Sequence, residues 1–167
     1  GGMVAMDFGD EQMESCEGFL CGEYRRLDAG QLPRLYVAYS SDAGEPTEVF
    51  HNRLRERYEL GESEVVDAMG RFAELSSEGV EALAAGDWDR LHRLIDANFD
   101  LRASICRLPG DHVRMVEAAR SVGASAKFSG SGGAIVGTVV DDAMFGRLTG
   151  VLGELNCEVF SPRVASP

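Results

Sequence analysis

The stretch SAKFSGSGGAIVGTVV, residues 125–140, sets Gly130, Gly132 and Gly133 among small hydroxyl residues, with Lys127 just ahead of them. Consecutive glycines leave room for backbone N–H groups to converge on an anion, and phosphate is a frequent guest. Glycines also supply the positive φ of a hairpin turn, which needs only one or two of them. The motif is not G-x-x-x-x-G-K-[ST], and Ile135 stands where G-x-G-x-x-G requires its third glycine. The residues downstream read as a strand, so binding of phosphate by a helix dipole does not apply. The surplus of glycine favours close approach of something, either another backbone or a phosphate.

A second anomaly lies in DWDRLHRLIDANFDLRASIC. At about 100° per residue, Trp88, Leu91, Leu94, Ile95, Phe99, Leu101 and Ile105 gather on one side of a helix. Asn98 and Arg102 fall near the middle of that side, at heptad spacing from Leu91, Ile95 and Ile105, while Asp89, Arg93, Asp96, Asp100 and Arg107 fall opposite. An arginine in an apolar stripe must be paired or must face a cavity, because an unpaired buried charge is costly. Two readings fit: a structural ion pair or a snorkelling side chain, and a ligand site in which Arg102 offers its planar fork to a carboxylate or phosphate. Metal chemistry has less support. Cys16, Cys21, Cys106 and Cys157 form no closely spaced pair, and His51, His92 and His112 do not complete a zinc set, so no metal ligands are assigned.

The elements that must carry these residues follow from period and punctuation. MVAMDF (3–8) reads as a strand, a second is expected near Phe19 to Tyr24, and RLYVAYS (34–40) is a third. Helices are expected from Pro46, over ESEVVDAMGRFAELSSEGVEALAAG with a stripe of Val65, Met69, Phe72, Val80 and Leu83, from Asp87 to about Cys106, and from Asp111 to Val122. SAKF and AIVGTVV are strands flanking the glycine loop. DDAMFGRLTGVLGEL is a helix capped by Asp141 or Asp142, and NCEVFSPRV closes as a strand. The pattern predicts one α+β domain, a small and mostly antiparallel sheet with about five helices packed on it.

The 167 residues suffice for one core, with 44% hydrophobic and 26% charged. A net charge of −12, from 28 acidic and 16 basic residues without a basic run, disfavours nucleic acid and anionic membranes as partners. No apolar run approaches the roughly 18 to 20 residues of a membrane span, and a cytoplasmic protein is expected.

GASAKFSGSGGAIVG, after a helix ending in VEAARSVG, resembles the third conserved motif of the GHMP kinases, the galactokinase, homoserine kinase, mevalonate kinase and phosphomevalonate kinase superfamily. That motif has the form G-A-x-x-K-x-[ST]-G-[AS]-G-G, matched by Gly123-Ala124, Lys127 and Ser129 to Gly133. MDF, LPRLYVAYS, VFHNRLRERY and LIDANFDLR extend the likeness over nearly the whole chain, most of all to the C-terminal half of glucuronokinase-type sugar kinases. The resemblance implies a ferredoxin-like C-terminal domain spanning 1–167, with residues 1–30 a partly irregular lead-in. It implies ATP and Mg2+ as cofactors and transfer of the γ-phosphoryl group to the anomeric hydroxyl of a uronic acid. Ser129 to Gly133 would lie near the ATP phosphates, Asn98, Arg102 and His51 on the sugar side, and Lys127 beside the loop as a structural or phosphate-near cation. The family also needs a phosphate loop of the form P-x-x-x-G-L-[GS]-S-S-[AG] and an Asp near the sugar hydroxyl, and this sequence has neither. The chain is therefore expected to contain no catalytic residue of its own, to be inactive alone, and to need an N-terminal kinase domain. An exposed apolar inter-domain face is expected to favour a homodimer. The alternatives are a free-standing ligand-binding or regulatory module and a degenerate, non-catalytic kinase relative.

Overall fold

Alternation of large and small residues builds the central strand. In LYVAYS, β5 (Leu35–Ser40), Tyr36 and Ala38 are fully buried while their neighbours are half-buried or exposed, the period-2 signature of a strand with one face on a core. It pairs antiparallel with β7 (Ala134–Thr138) in a register that sets Tyr36 against Gly137 and Ala38 against Ile135. Each large side chain thus faces a small one across the ladder. Gly137 is required there, because a Cβ at that position would lie 1.7 Å from the carbonyl oxygen of Ser125. β6 (Lys127–Phe128) and β8 (Cys157–Phe160) complete an antiparallel sheet of order β6-β7-β5-β8.

These features belong to a computed structural model that describes residues 3–9, 13–40 and 48–163, with the side chains of Glu14 and of residues 48–53 outside that set. The chain divides into two compact units, Gly1–Leu32 with Arg163–Pro167, and Pro33–Pro162. The first holds two antiparallel ribbons. β1 (Val4–Asp7) pairs with β4 (Glu23–Arg26), and β2 (Glu14–Cys16) pairs with β3 (Phe19–Cys21). Glu17 and Gly18 link the second ribbon with φ of 51° and 87°, the two positive values that a tight two-residue hairpin needs. The described part of residues 1–30, a stretch expected to be partly irregular, thus forms four short strands where two are expected.

The second unit carries the four-stranded sheet and all five α-helices of the described residues: α1 (Glu48–Glu59), α2 (Ser63–Ala85), α3 (Trp88–Ile105), α4 (Gly110–Ser121) and α5 (Asp142–Gly153). The architecture is α+β, as the sequence predicts. Punctuation fixes the helices. Gly86 ends α2 in the left-handed region at φ 66°, and Asp87 then caps α3 by accepting from the amide of Arg90. Asp141 caps α5 on the amide of Met144. The buried line of α2 runs through Val65, Ala68, Leu75 and Ala82, offset from the expected stripe, and Met69, Phe72, Val80 and Leu83 are only half-buried. The main core joins Tyr36, Ala38, Phe128 and Ile135 of the sheet to Phe99 of α3, Met115, Val116 and Ala119 of α4, and Leu148 and Leu152 of α5. None of the described helices is long and apolar enough to cross a membrane.

Candidate functional site

Of the two polar positions in the apolar stripe of α3, Arg102 meets the glycine loop and Asn98 meets the strand that leads into it. The Arg102 guanidinium donates from Nη1 to the carbonyl of Gly130 at 2.7 Å and from Nη2 to that of Ser131 at 3.2 Å. Its Cζ lies 5.3 Å from the centroid of the Phe128 ring, at the end of β6. One turn earlier on α3, Asn98 Oδ1 accepts from Lys127 Nζ at 3.3 Å. The structure thus brings Asn98, Arg102, Lys127 and the loop residues together. Burial holds the Arg102 guanidinium below its ordinary pKa. Burial, and then the positive charge of Arg102, do the same to the Lys127 ammonium.

From α4, the His112 ring packs on the other part of the loop. A Cβ on Gly132 would lie 2.4 Å from His112 Nδ1, and Gly132 has φ of 149°, so the position is closed to side chains on two counts. The same imidazole meets Phe128 edge to face at 5.9 Å, and Nδ1 is buried without a hydrogen-bond partner among the described residues. Ser40 N–H donates to the carbonyl of Gly133 at 2.9 Å. Three hydrogen bonds, two from Arg102 and one from Ser40, therefore hold the carbonyls of Gly130, Ser131 and Gly133. The amides of Gly130, Gly132 and Gly133 donate to nothing among the described residues. A loop with its carbonyls bonded and amides unbonded presents positive partial charge, which suits an anion.

Behind the loop, Asp96 ties α3 to the approach of β6. Its carboxylate accepts from Ala126 N–H at 2.9 Å and from Arg120 Nε at 3.0 Å. Arg120 reaches Asp100 as well, at 2.7 Å, and stacks on Phe99. Asp96, expected on the solvated side of α3, is instead a partly buried structural acceptor, because α4 and the β6 approach cover that side of the helix. Trp88, expected in the apolar cluster, is 55% exposed. Underneath, a buried network joins Tyr36 Oη to the Ser125 carbonyl at 2.8 Å, Ser125 Oγ to Thr138 Oγ1 at 2.7 Å, and Thr138 Oγ1 to His92 Nδ1 at 2.8 Å.

His112 and Asp96 are the residues that sequence reasoning did not place at this site. Their partners, Gly132 and Ala126, lie 20 and 30 positions away, and nothing in the local pattern points to them. His51 lies on α1 by its backbone, and its side chain lies outside the described residues.

No protein-family model matches the chain. The chain is 39% identical over 140 residues to a probable glucuronokinase 2 of Arabidopsis thaliana and 37% identical over 142 residues to glucuronokinase 1 of the same plant. Each match covers 81% of this chain and 37% of the relative, so the chain spans well under half the length of the relatives it matches. Among solved structures, it superposes on an L. major mevalonate kinase in complex with R-mevalonate with a TM-score of 0.75 at 20% identity, covering 92% of this chain and 49% of that one. It superposes on a Lactococcus lactis galactokinase complexed with galactose with a TM-score of 0.65 at 12% identity, covering 89% and 49%. At such identities the superpositions establish the fold, and the plant relatives add the likeness in sequence. The chain thus has the fold of these kinases and resembles the plant glucuronokinases in sequence.

Proposed function

We propose that this chain is the C-terminal portion of an ATP-dependent sugar kinase that phosphorylates a uronic acid at its anomeric hydroxyl. The observation that carries the reading is the polarity of the glycine loop: Arg102 and Ser40 hold the carbonyls of Gly130, Ser131 and Gly133, while the glycine amides stay unbonded among the described residues. Donors already oriented stabilise phosphoryl charge without reorganising during the reaction. The named activity of the plant relatives supports the uronic acid.

In this reading Ser129 to Gly133 face the ATP phosphates, and Asn98 and Arg102 line the sugar side. ATP supplies the phosphoryl group. The phosphate loop, the catalytic Asp and the Mg2+ ligands are assigned to an N-terminal domain of the kind that the greater length of the relatives would accommodate. The chain's own residues orient the phosphates and the sugar and exclude water between them.

The test compares this chain alone with a protein that joins it to such a domain, using labelled ATP with glucuronate, galactose and mevalonate. Label should pass to glucuronate in the joined protein only, and Gly132→Val should reduce kcat/KM by at least about 100-fold. Transfer to none of the three by the joined protein would sink the reading, as would full activity of Gly132→Val.

A further inference from the structure

Among the described residues, Arg34, Arg55, Arg57, Arg71, Arg90 and Arg120 each hold a carboxylate within 4.0 Å. Lys127 forms no such pair. Its ammonium meets the neutral oxygen of Asn98, at 3.3 Å and so at the long end of hydrogen bonding, and its charged neighbour is a second cation, Arg102. This happens in a chain with 28 acidic residues and a net charge of −12. A partly buried ammonium beside a guanidinium disfavours its own charged state twice over, by lost hydration and by repulsion, and both lower its pKa. An arriving oxyanion would reverse both effects, replacing lost hydration with charge-assisted hydrogen bonds and screening the two cations from each other.

Position agrees with charge. Lys127 opens β6 opposite Val136, and the next residue, Phe128, supports Arg102 on its ring and leads into the loop. Lys127 therefore lies three positions ahead of Gly130, the first of the glycines whose amides are unbonded among the described residues.

We propose that Lys127 is the ligand of an oxyanion, with Asn98 orienting its ammonium and Arg102 acting as a positioning residue that holds the loop carbonyls. The inference rests on the kinase reading only for the two sources of that oxyanion, the carboxylate of a uronic acid and the phosphoryl oxygens of ATP.

The experiment follows the lysine side-chain resonances of this chain by NMR during titration with glucuronate, glucose, inorganic pyrophosphate and ATP. An oxyanion should move the Lys127 signal and raise its titration midpoint, and glucose should do neither. Response to glucuronate alone identifies the carboxylate as the source, and response to pyrophosphate and ATP identifies the phosphates. Lys127→Met should weaken binding of the active oxyanion at least ~10-fold, and Lys127→Arg should hold it within about 3-fold of the original. Because the methionine removes a desolvated charge, Lys127→Met should melt no lower than the parent chain, which a purely structural lysine would not allow. Equal affinity in Lys127→Met, a lowered melting point, or a Lys127 signal unmoved by every probe would overturn the assignment. If glucuronate, pyrophosphate and ATP all bind Lys127→Met as they bind the parent, while the joined protein still transfers phosphoryl to glucuronate, the kinase reading survives without the inference. If oxyanions bind at Lys127 but the joined protein transfers no phosphoryl group, the inference survives without the kinase reading.

Discussion

Gly132 shows how narrow the tolerance of a single position can be. Its φ of 149° suits glycine, and the His112 ring occupies the space a methyl group would enter, 2.4 Å from Nδ1. Gly132→Ala should therefore destabilise the chain by about 1–3 kcal/mol in urea unfolding and speed hydrogen exchange of the loop amides. Exchange unchanged from the parent would mean that His112 yields and does not fix the loop. Tyr36 makes a different kind of test. Burial first, and then the Asp96 carboxylate, hold its hydroxyl well above the usual tyrosine range, with Arg120 acting the other way. An unfolded tyrosine ionises near pH ~10, whereas folded Tyr36 keeps its proton beyond that. Above that pH the folded state binds more protons than the unfolded one, so the contribution of Tyr36 is complete below pH ~10 and falls as pH rises, by at most about 1.4 kcal/mol per pH unit. Between pH 9 and 11, the parent chain should lose about 1 kcal/mol more stability than Tyr36→Phe. Parallel declines in the two proteins would show that Tyr36 ionises as freely folded as unfolded.

Helix α3 is where most of the site is built, and it marks how far the sequence could be read. Its caps, its apolar side and the anomaly of Asn98 and Arg102 within that side all follow from spacing, as does the alternation of β5. What Arg102 bonds to does not follow, because the loop carbonyls lie 28 and 29 positions away and no local pattern encodes them. Asp96 was misplaced for a related reason. A helical period separates apolar from polar residues, but it does not separate water from a buried amide such as Ala126 N–H. The stripe of α2 drifted because Ala68 and Ala82, small and weakly apolar, carry little signal yet are buried on a helix that packs against α1 and α3. If Asp96 joins α3 to the start of β6, Asp96→Asn should cost about 1–3 kcal/mol, measured by urea unfolding. Combined with Arg120→Met, the loss should be less than the sum of the two single changes, since both remove one shared ion pair. Strict additivity would mean that the carboxylate acts through the Ala126 amide alone.

At the scale of the whole molecule, the apolar core and the exposed apolar side chains are distributed unequally. Every buried residue of the main core lies between Tyr36 and Cys157, inside Pro33–Pro162, and none of the described residues of 3–32 is buried. Those residues hold their strands by backbone pairing and by contacts such as Phe8 on Tyr24, with Met6, Phe8, Phe19, Leu20 and Tyr24 each more than half exposed. A segment of that size buries too little to fold stably by itself, and exposed clusters of that kind favour association. A protein consisting of residues 33–162 should therefore unfold cooperatively, with a stability within about 1 kcal/mol of the complete chain, because the terms it loses come from surface strands. Circular dichroism is the suitable probe, since the single tryptophan, Trp88, is 55% exposed and reports poorly on the core. The same truncation should reduce self-association, read as a fall in apparent mass during size exclusion at high concentration. A non-cooperative transition would show that residues 1–32 belong to the folding unit. A clean monomer in both proteins would remove the reason to expect a homodimer, and persistent association of 33–162 would move the interface onto the helices or the sheet.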